Sequence, residues 1–303
     1  EYPPLINQEK IDKAMEDNRE KAERELYNKF SADSHEGQIL SRRDIRNVTL
    51  NNPPLLENDT GNKMFIMAWD SARLNDNSII AIAELEKDKQ KGYVLHMANV
   101  VCLVDIKNKK KTPMRMPEQV KKFKEILLKY NGNDKQKVDY ENINSIVCDA
   151  GSGGNLIGGV SDYLLENWTD KNGIEHKGLI DTSHKANETA KYQFKDAVDI
   201  MKLIDPKGNR NEIIGSISRM VKLGLVDFPA DYDGKDSLFY IDDVGNEINQ
   251  PLTSEEQISL MQMELMKTEI VTMCKYENAG SVKYDFPPDK RNKMHKQHCA
   301  IAA

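Results

Sequence analysis

Two aspartates stand out for where they fall. Asp70 closes the apolar run Met64-Phe65-Ile66-Met67-Ala68-Trp69, and Asp149 closes Ile143-Asn144-Ser145-Ile146-Val147-Cys148. A carboxylate at the end of a buried strand is costly to desolvate unless it meets a cation or several hydrogen-bond donors. Two of them on neighbouring strands repel each other, and a divalent metal ion relieves that repulsion. Hard cations such as Mg²⁺ and Mn²⁺ prefer oxygen ligands, and two ions about 3.5 to 4 Å apart can activate a water and stabilise the leaving oxygen of a phosphodiester. On residue type and spacing alone, the same pair also reads as two aspartates that open ordinary turns, and both readings stand at this point.

Other groups narrow the chemistry. Gly151-Ser152-Gly153-Gly154 follows Asp149 directly, but the chain has no G-x-x-x-x-G-K-[ST] pattern, so the glycines read as a turn beside the carboxylate and not as an ATP loop. Cys102, Cys148, Cys274 and Cys299 form no C-x-x-C pair, which points to free thiols and to neither a disulfide framework nor a zinc site. Clustered cations occur at Lys107 to Lys111, at Lys121 and Lys122, and at Lys290, Arg291 and Lys293; each cluster suits phosphate contact or a solvated face. Met261, Met263 and Met266 recur on a helical stretch and suit packing.

The elements that must position the aspartates follow from periodicity. Three runs rich in Ile, Val and Leu, at 64–70, 78–85 and 93–104, are separated by polar turns and predict three consecutive antiparallel strands. Pro117 and Glu118 then open a helix whose Val120, Phe123 and Leu127 recur at helical spacing through Tyr130. The strand ending at Asp149 comes next, followed by a helix over 156–168 and a short strand over 178–181. Helices are expected over 192–204 and 211–223, a hairpin over 225–248, and a helix over 254–274 opened by a Thr253/Glu256 capping box. This order predicts an α/β fold with a mixed sheet and helices on both faces.

The first 62 residues read as an arm and linker. Residues 11–30 alternate charged with few apolar side chains, as on an exposed or partner-facing helix, and Asn51-Asn52-Pro53-Pro54 interrupts regular structure. The compact domain is therefore expected over 63–303. The chain has 303 residues, 39% hydrophobic and 30% charged, and a mean hydropathy of −0.66, the balance of a soluble globular protein. No apolar run approaches the roughly 18 residues of a bilayer span. The chain begins at Glu1 with no charged-then-apolar leader, so a reducing cytoplasm is the expected setting. A net charge of −6 excludes a protein that coats nucleic acid over its whole surface, though not one with a local basic groove.

Several of these segments share a resemblance. Met67-Ala68-Trp69-Asp70-Ser71-Ala72 with Asp76-Asn77-Ser78 resembles the first acidic motif of the large terminase nuclease family of tailed bacteriophages. Ile146-Val147-Cys148-Asp149 with Gly151 and Gly153 resembles its second, and Pro287-Pro288-Asp289-Lys290 through Lys293-Met294-His295 resembles the approach to its third. Glu25-Leu26-Tyr27-Asn28-Lys29-Phe30 is similar to the segment by which the family leaves its ATPase domain. The likeness extends over about residues 64 to 303.

That resemblance implies an RNase H-like nuclease domain of a DNA-packaging motor, with Asp70 and Asp149 as catalytic metal ligands for two Mg²⁺ or Mn²⁺ ions. It implies cleavage of concatemeric double-stranded DNA in the host cytoplasm, at the procapsid portal. The implied partners are the ATPase domain of the same subunit, the portal and the small terminase subunit, with no membrane. DNA contacts would come from Lys121, Lys122, Lys290, Arg291 and Lys293. One departure matters: where the family's last motif has aspartates, this chain reads His295-Lys296-Gln297-His298. The third ligand is then His295, or else His298, Asp285 or Asp289, or the site has lost it. A non-catalytic DNA-binding or motor-docking module is one alternative, and another RNase H-like nuclease of resolvase or recombinase type is a second.

Overall fold

The computed structural model describes residues 11–13, 37–71, 78–107, 110–132, 139–150, 161–205, 208–241, 244–278 and 281–287, and helix α1 (Arg42–Asn47) precedes the sheet. Strands β1 (Phe65–Asp70), β2 (Ser78–Asp88) and β3 (Gly92–Lys107) form consecutive antiparallel pairs, and β4 (Lys110–Pro113) folds back on β3. Strand β5 (Ile143–Asp149) lies parallel to β1 on its other side, and the strand Met201–Ile204 lies parallel to β5 beyond that. The two-residue strand Val226–Asp227 closes the far edge against β3. Three antiparallel strands, with two more parallel to the first on its free side, make the mixed sheet that the element order leads one to expect.

Alternation along the strands divides the core into two layers. Phe65, Met67 and Trp69 of β1, with Ile80 and Ile82 of β2, face helix α2 (Met116–Tyr130) through its Val120, Phe123 and Leu127. Trp69 stacks on Phe123 with centroids 4.6 Å apart, and Phe65 meets Tyr130 edge-on at 5.0 Å. Ile79, Ala81 and Ala83 of β2 face the other way, toward helices α3 (Arg210–Leu223) and α4 (Ser254–Thr272), which contribute Ile214, Ile217, Met263 and Met266 among others. β2 is thus buried on both faces, which is why it reads as an unbroken apolar run.

The helix ends follow local rules. Glu118 accepts the Arg115 N–H at 3.2 Å at the start of α2, and Thr253 and Glu256 form the expected reciprocal cap on α4. Gly224 ends α3 in the left-handed region at φ 62°, a conformation that glycine adopts without steric cost.

Four stretches differ from the sequence expectation, the first being the hairpin expected over 225–248: Val226–Asp227 joins β3 in parallel, and the hairpin forms from Ser237–Ile241 with Glu247–Pro251. Over 192–204 the chain forms the short helix Ala190–Gln193 and then the strands Val198–Asp199 and Met201–Ile204, because the pairing offered by β5 outweighs local helical spacing. An antiparallel hairpin, Cys274–Asn278 with Ser281–Asp285, follows α4. Residues 37–62, assigned to the arm on sequence, are part of the packing: Leu40, Ile45 and Val48 join the α3/α4 layer, and the Tyr130 hydroxyl donates to the Leu55 carbonyl at 2.7 Å. Residues 1–10 and 14–36, the greater part of the expected arm, lie outside the described residues. Among the described residues no helix is long and apolar enough to cross a membrane.

The far edge carries a pH-dependent clamp. His96 of β3 contacts Asp227 through Nδ1 at 2.7 Å and Glu86 through Nε2 at 3.0 Å. The hydrogen bond to Asp227 raises the imidazole above the usual histidine value; burial opposes it, and the charges of Asp227, Glu86 and Glu84 reinforce it. A raised folded-state pKa means that the contribution is complete below the ordinary histidine pKa of about 6.5 and is lost as pH rises through the folded value. Denaturant midpoints measured from about pH 5.5 to 8.5 should therefore fall on the alkaline side in the native protein. Asp227→Asn should flatten that fall; an unchanged pH profile would refute the clamp.

Candidate functional site

The site is built by one register. β1 and β5 run parallel with Ala68 beside Val147 and Trp69 beside Cys148, so the next rung of the ladder carries Asp70 and Asp149. Trp69 and Cys148 face the α2 layer. Alternation sends the residues before and after them to the opposite face, so both aspartates point toward α3. Adjacent strands lie about 4.8 Å apart, which sets the scale of their separation. Both are half-buried and line one cavity of about 160 Å³, otherwise formed by apolar groups such as Ala68, Ala81, Val147, Ile217 and Met220. The aspartates are the acidic part of the lining of an otherwise apolar chamber between the sheet and α3.

Neighbouring groups are already committed. Cys148 is buried; desolvation, followed by the charges of Asp149 and Asp181, pushes its thiol up to about 12. It stays protonated near neutral pH and supplies no thiolate ligand. Asp181 is 2% exposed, and burial pushes its pKa upward. Hydrogen bonds from the Leu203 N–H at 2.8 Å and from the Ser183 N–H and hydroxyl, together with the Lys202 charge, outweigh burial and hold it below the usual carboxylate range. Asp181 thus fastens the chain to the outer edge of the strand Met201–Ile204.

Sequence reasoning missed Asp205. Ile204 pairs with Asp149, so Asp205 extends the neighbouring strand just past that rung. The signal is present: Met201-Lys202-Leu203-Ile204-Asp205 is a third short run closed by an aspartate, which a helical reading of 192–204 conceals. Asp205 is exposed, and among the described residues no three of His, Cys, Asp and Glu form a group able to hold a metal ion. Asp285, one of the substitutes considered on sequence, is buried in the hairpin after α4, where its Oδ1 accepts the Phe286 N–H at 2.9 Å.

The expected basic contacts divide. Lys121 and Lys122 lie on α2, the helix packed on the face opposite the aspartates. Lys121 lines a groove with Lys124, Trp168 and His176, and Lys122 pairs with Glu125 at 2.8 Å. His295, Lys290, Arg291 and Lys293 lie outside the described residues, as do Asp76, Asp289, Lys296, Gln297, His298 and the glycines after Ala150.

No family model matches the chain, and no curated protein does. Among solved structures, the chain matches nuclease domains of phage large terminases over most of its length at low identity. The large terminase nuclease from thermophilic phage G20c is 10% identical, over 72% of this chain and 91% of that one, with a TM-score of 0.37. The Thermus phage P74-26 large terminase nuclease domain is 10% identical, over 86% and 90%, with a TM-score of 0.43. The large terminase of bacteriophage HK97 is 10% identical, over 87% of this chain and 51% of that one, with a TM-score of 0.34. None of these likenesses identifies a residue of the site.

If the paired carboxylates take up a divalent ion, the ion stabilises the folded state by mass action, by about 2.7 kcal/mol at a hundredfold excess over Kd. Thermal unfolding with increasing Mn²⁺ should thus show a rising midpoint in the native protein and none in Asp70→Asn/Asp149→Asn. An equal rise in both would place the binding elsewhere.

Proposed function

We propose that the protein is a metal-dependent endonuclease that cuts concatemeric double-stranded viral DNA during genome packaging, with Asp70 and Asp149 as its catalytic metal ligands. The observation that supports this reading is the shared rung: two carboxylates on adjacent parallel strands, on one face, lining one cavity. Two unit charges about 5 Å apart repel by about 3 kcal/mol at an effective dielectric near 20. A fold that keeps such a pair half-buried suits a divalent cation, and an all-oxygen donor set suits Mg²⁺ or Mn²⁺. Bound there, two such ions would supply Lewis acidity and a hydroxide nucleophile at neutral pH.

The chain's own contribution is positional. β1 and β5 are central strands held from both sides, so the two side chains are fixed by a hydrogen-bonded ladder and not by a loop. The apolar wall formed by α3 keeps water from one side of the pair and lowers the local dielectric. Recognition through phosphates carries little sequence information, so weak sequence preference is expected. The order of the acidic motifs extends the proposal to the partners: the ATPase domain of the same subunit, the portal and the small terminase subunit, at the procapsid in the host cytoplasm.

A second reading, a DNA-binding or motor-docking module without catalysis, is favoured by Lys296 and Gln297, which stand where the family's pattern has acids. Incubation of supercoiled plasmid with Mn²⁺ decides between them. The nuclease reading expects nicking and linearisation by the unaltered protein. Asp70→Ala or Asp149→Ala should lower the rate about a hundredfold or more, given several kcal/mol of lost transition-state stabilisation. Cutting by Lys296→Asp alone would support the second reading, and equal cutting by the unaltered protein and Asp70→Ala would remove the pair from the mechanism.

A further inference from the structure

We propose that the segment 182–195 is a rigid platform that holds the DNA backbone a few nucleotides away from the bond presented to Asp70 and Asp149. The proposal rests on the nuclease reading for the identity of the polymer, and on separate observations for the surface itself.

The first observation is placement. The Asp181 carboxylate accepts the Leu203 N–H, on the edge of the strand Met201–Ile204 that faces away from β5. Leu203 pairs with Cys148 and Ile204 with Asp149. The segment after Asp181 therefore leaves the sheet about two strand spacings, or about 10 Å, from Asp149. Phosphates along one strand of duplex DNA are spaced about 3.4 Å per nucleotide along the axis, so the point where the segment leaves the sheet is offset from Asp149 by about three nucleotides.

The second observation is charge. Within 182–195 the chain carries Lys185, Lys191 and Lys195, with His184, against the single acid Glu188, in a protein of net charge −6. Among the described residues none of the three lysines is held in an ion pair. Tyr192 is 68% exposed, and Lys191 Nζ lies 5.2 Å from its ring centroid. A large aromatic left in water beside a lysine that makes no ion pair matches the usual makeup of a nucleic-acid contact, in which lysines meet phosphates and the ring meets sugar or base.

The third observation is rigidity. Asn187 is 3% exposed and donates to the Asp181 carbonyl at 2.9 Å; Thr182 bonds Asp199 through its N–H and hydroxyl; and His184 Nδ1 accepts the Ala186 N–H at 3.2 Å. Lys185 thus stands on the short turn 185–187, which is tied to the same sheet edge that positions Asp149, while Lys191 lies on the next short helix, Ala190–Gln193, and Lys195 just beyond it. Cations held this way lose little entropy on meeting phosphates, and they set the register of the strand at the carboxylates.

The test separates binding from cutting by leaving out divalent ions. Anisotropy of a labelled duplex is followed over about 50 to 200 mM NaCl for the unaltered protein, for Lys185→Ala/Lys191→Ala/Lys195→Ala, and for Lys87→Ala/Lys89→Ala/Lys222→Ala. The last variant removes the same charge at the other end of the sheet. Each phosphate contact contributes about 0.9 to the slope of log K against log salt, so the platform variant should be shallower by about 2.7, with the control unchanged. An unchanged platform slope, or equal flattening in both variants, would overturn the proposal. If the platform-dependent slope is found but plasmid is never cut, the nuclease reading falls and the platform stands; if plasmid is cut with no platform dependence, the platform falls and the nuclease reading stands.

Discussion

The parallel pairing of β1 with β5 is the constraint on which the rest of the site depends. Side chains alternate along a strand, so a one-residue slip between these strands would send Asp149 into the α2 layer and leave Asp70 alone on the other face. The register is held by what lies behind it: Trp69 stacked on Phe123, with Cys148 and Ile146 packed in the same apolar layer, where a carboxylate would be desolvated at high cost. The aromatic and aliphatic layer under α2 is therefore what specifies the acidic rung on the opposite face. Packing on one side of the sheet fixes where the two carboxylates stand on the other.

The opposite face is built differently. Small residues, Ala68, Ala81 and Ala83, lie beneath α3, and the chamber they leave is lined by the two aspartates. Filling it with larger side chains would add buried area, but it would also bring apolar groups up to the carboxylates. A close like-charge pair and an unfilled chamber both work against stability, and a sheet buried on both faces supplies enough apolar contact to carry them. Local conflict of this kind inside an otherwise consistent fold is common at functional positions.

The legible parts of this chain are those where one residue pattern decides the outcome. β1, β2, β3 and β5 announce themselves as apolar runs, α2 by its stripe and proline start, and α4 by its capping box. The strands Met201–Ile204 and Val226–Asp227 are too short to show periodicity, and they exist because β5 and β3 offer them a ladder. Helical spacing over 192–204 masks the first of them, and with it Asp205 and the whole 182–195 platform. Leu40, Ile45 and Val48 sit in a charged neighbourhood that reads as exposed, yet tertiary contact buries them. That Asp70 and Asp149 end adjacent strands follows from two apolar runs closed by aspartates; no third acidic position can be read with them, since the chain has lysine and glutamine where the resemblance would place it.

The central claim is that one divalent ion is shared by Asp70 and Asp149. Anomalous diffraction from a crystal soaked in Mn²⁺ measures this directly. The account predicts an anomalous peak within coordinating distance, about 2.0 to 2.3 Å, of a carboxylate oxygen from each residue. Clear density for both side chains with no shared peak, or with the two carboxylates on opposite faces of the sheet, would contradict it.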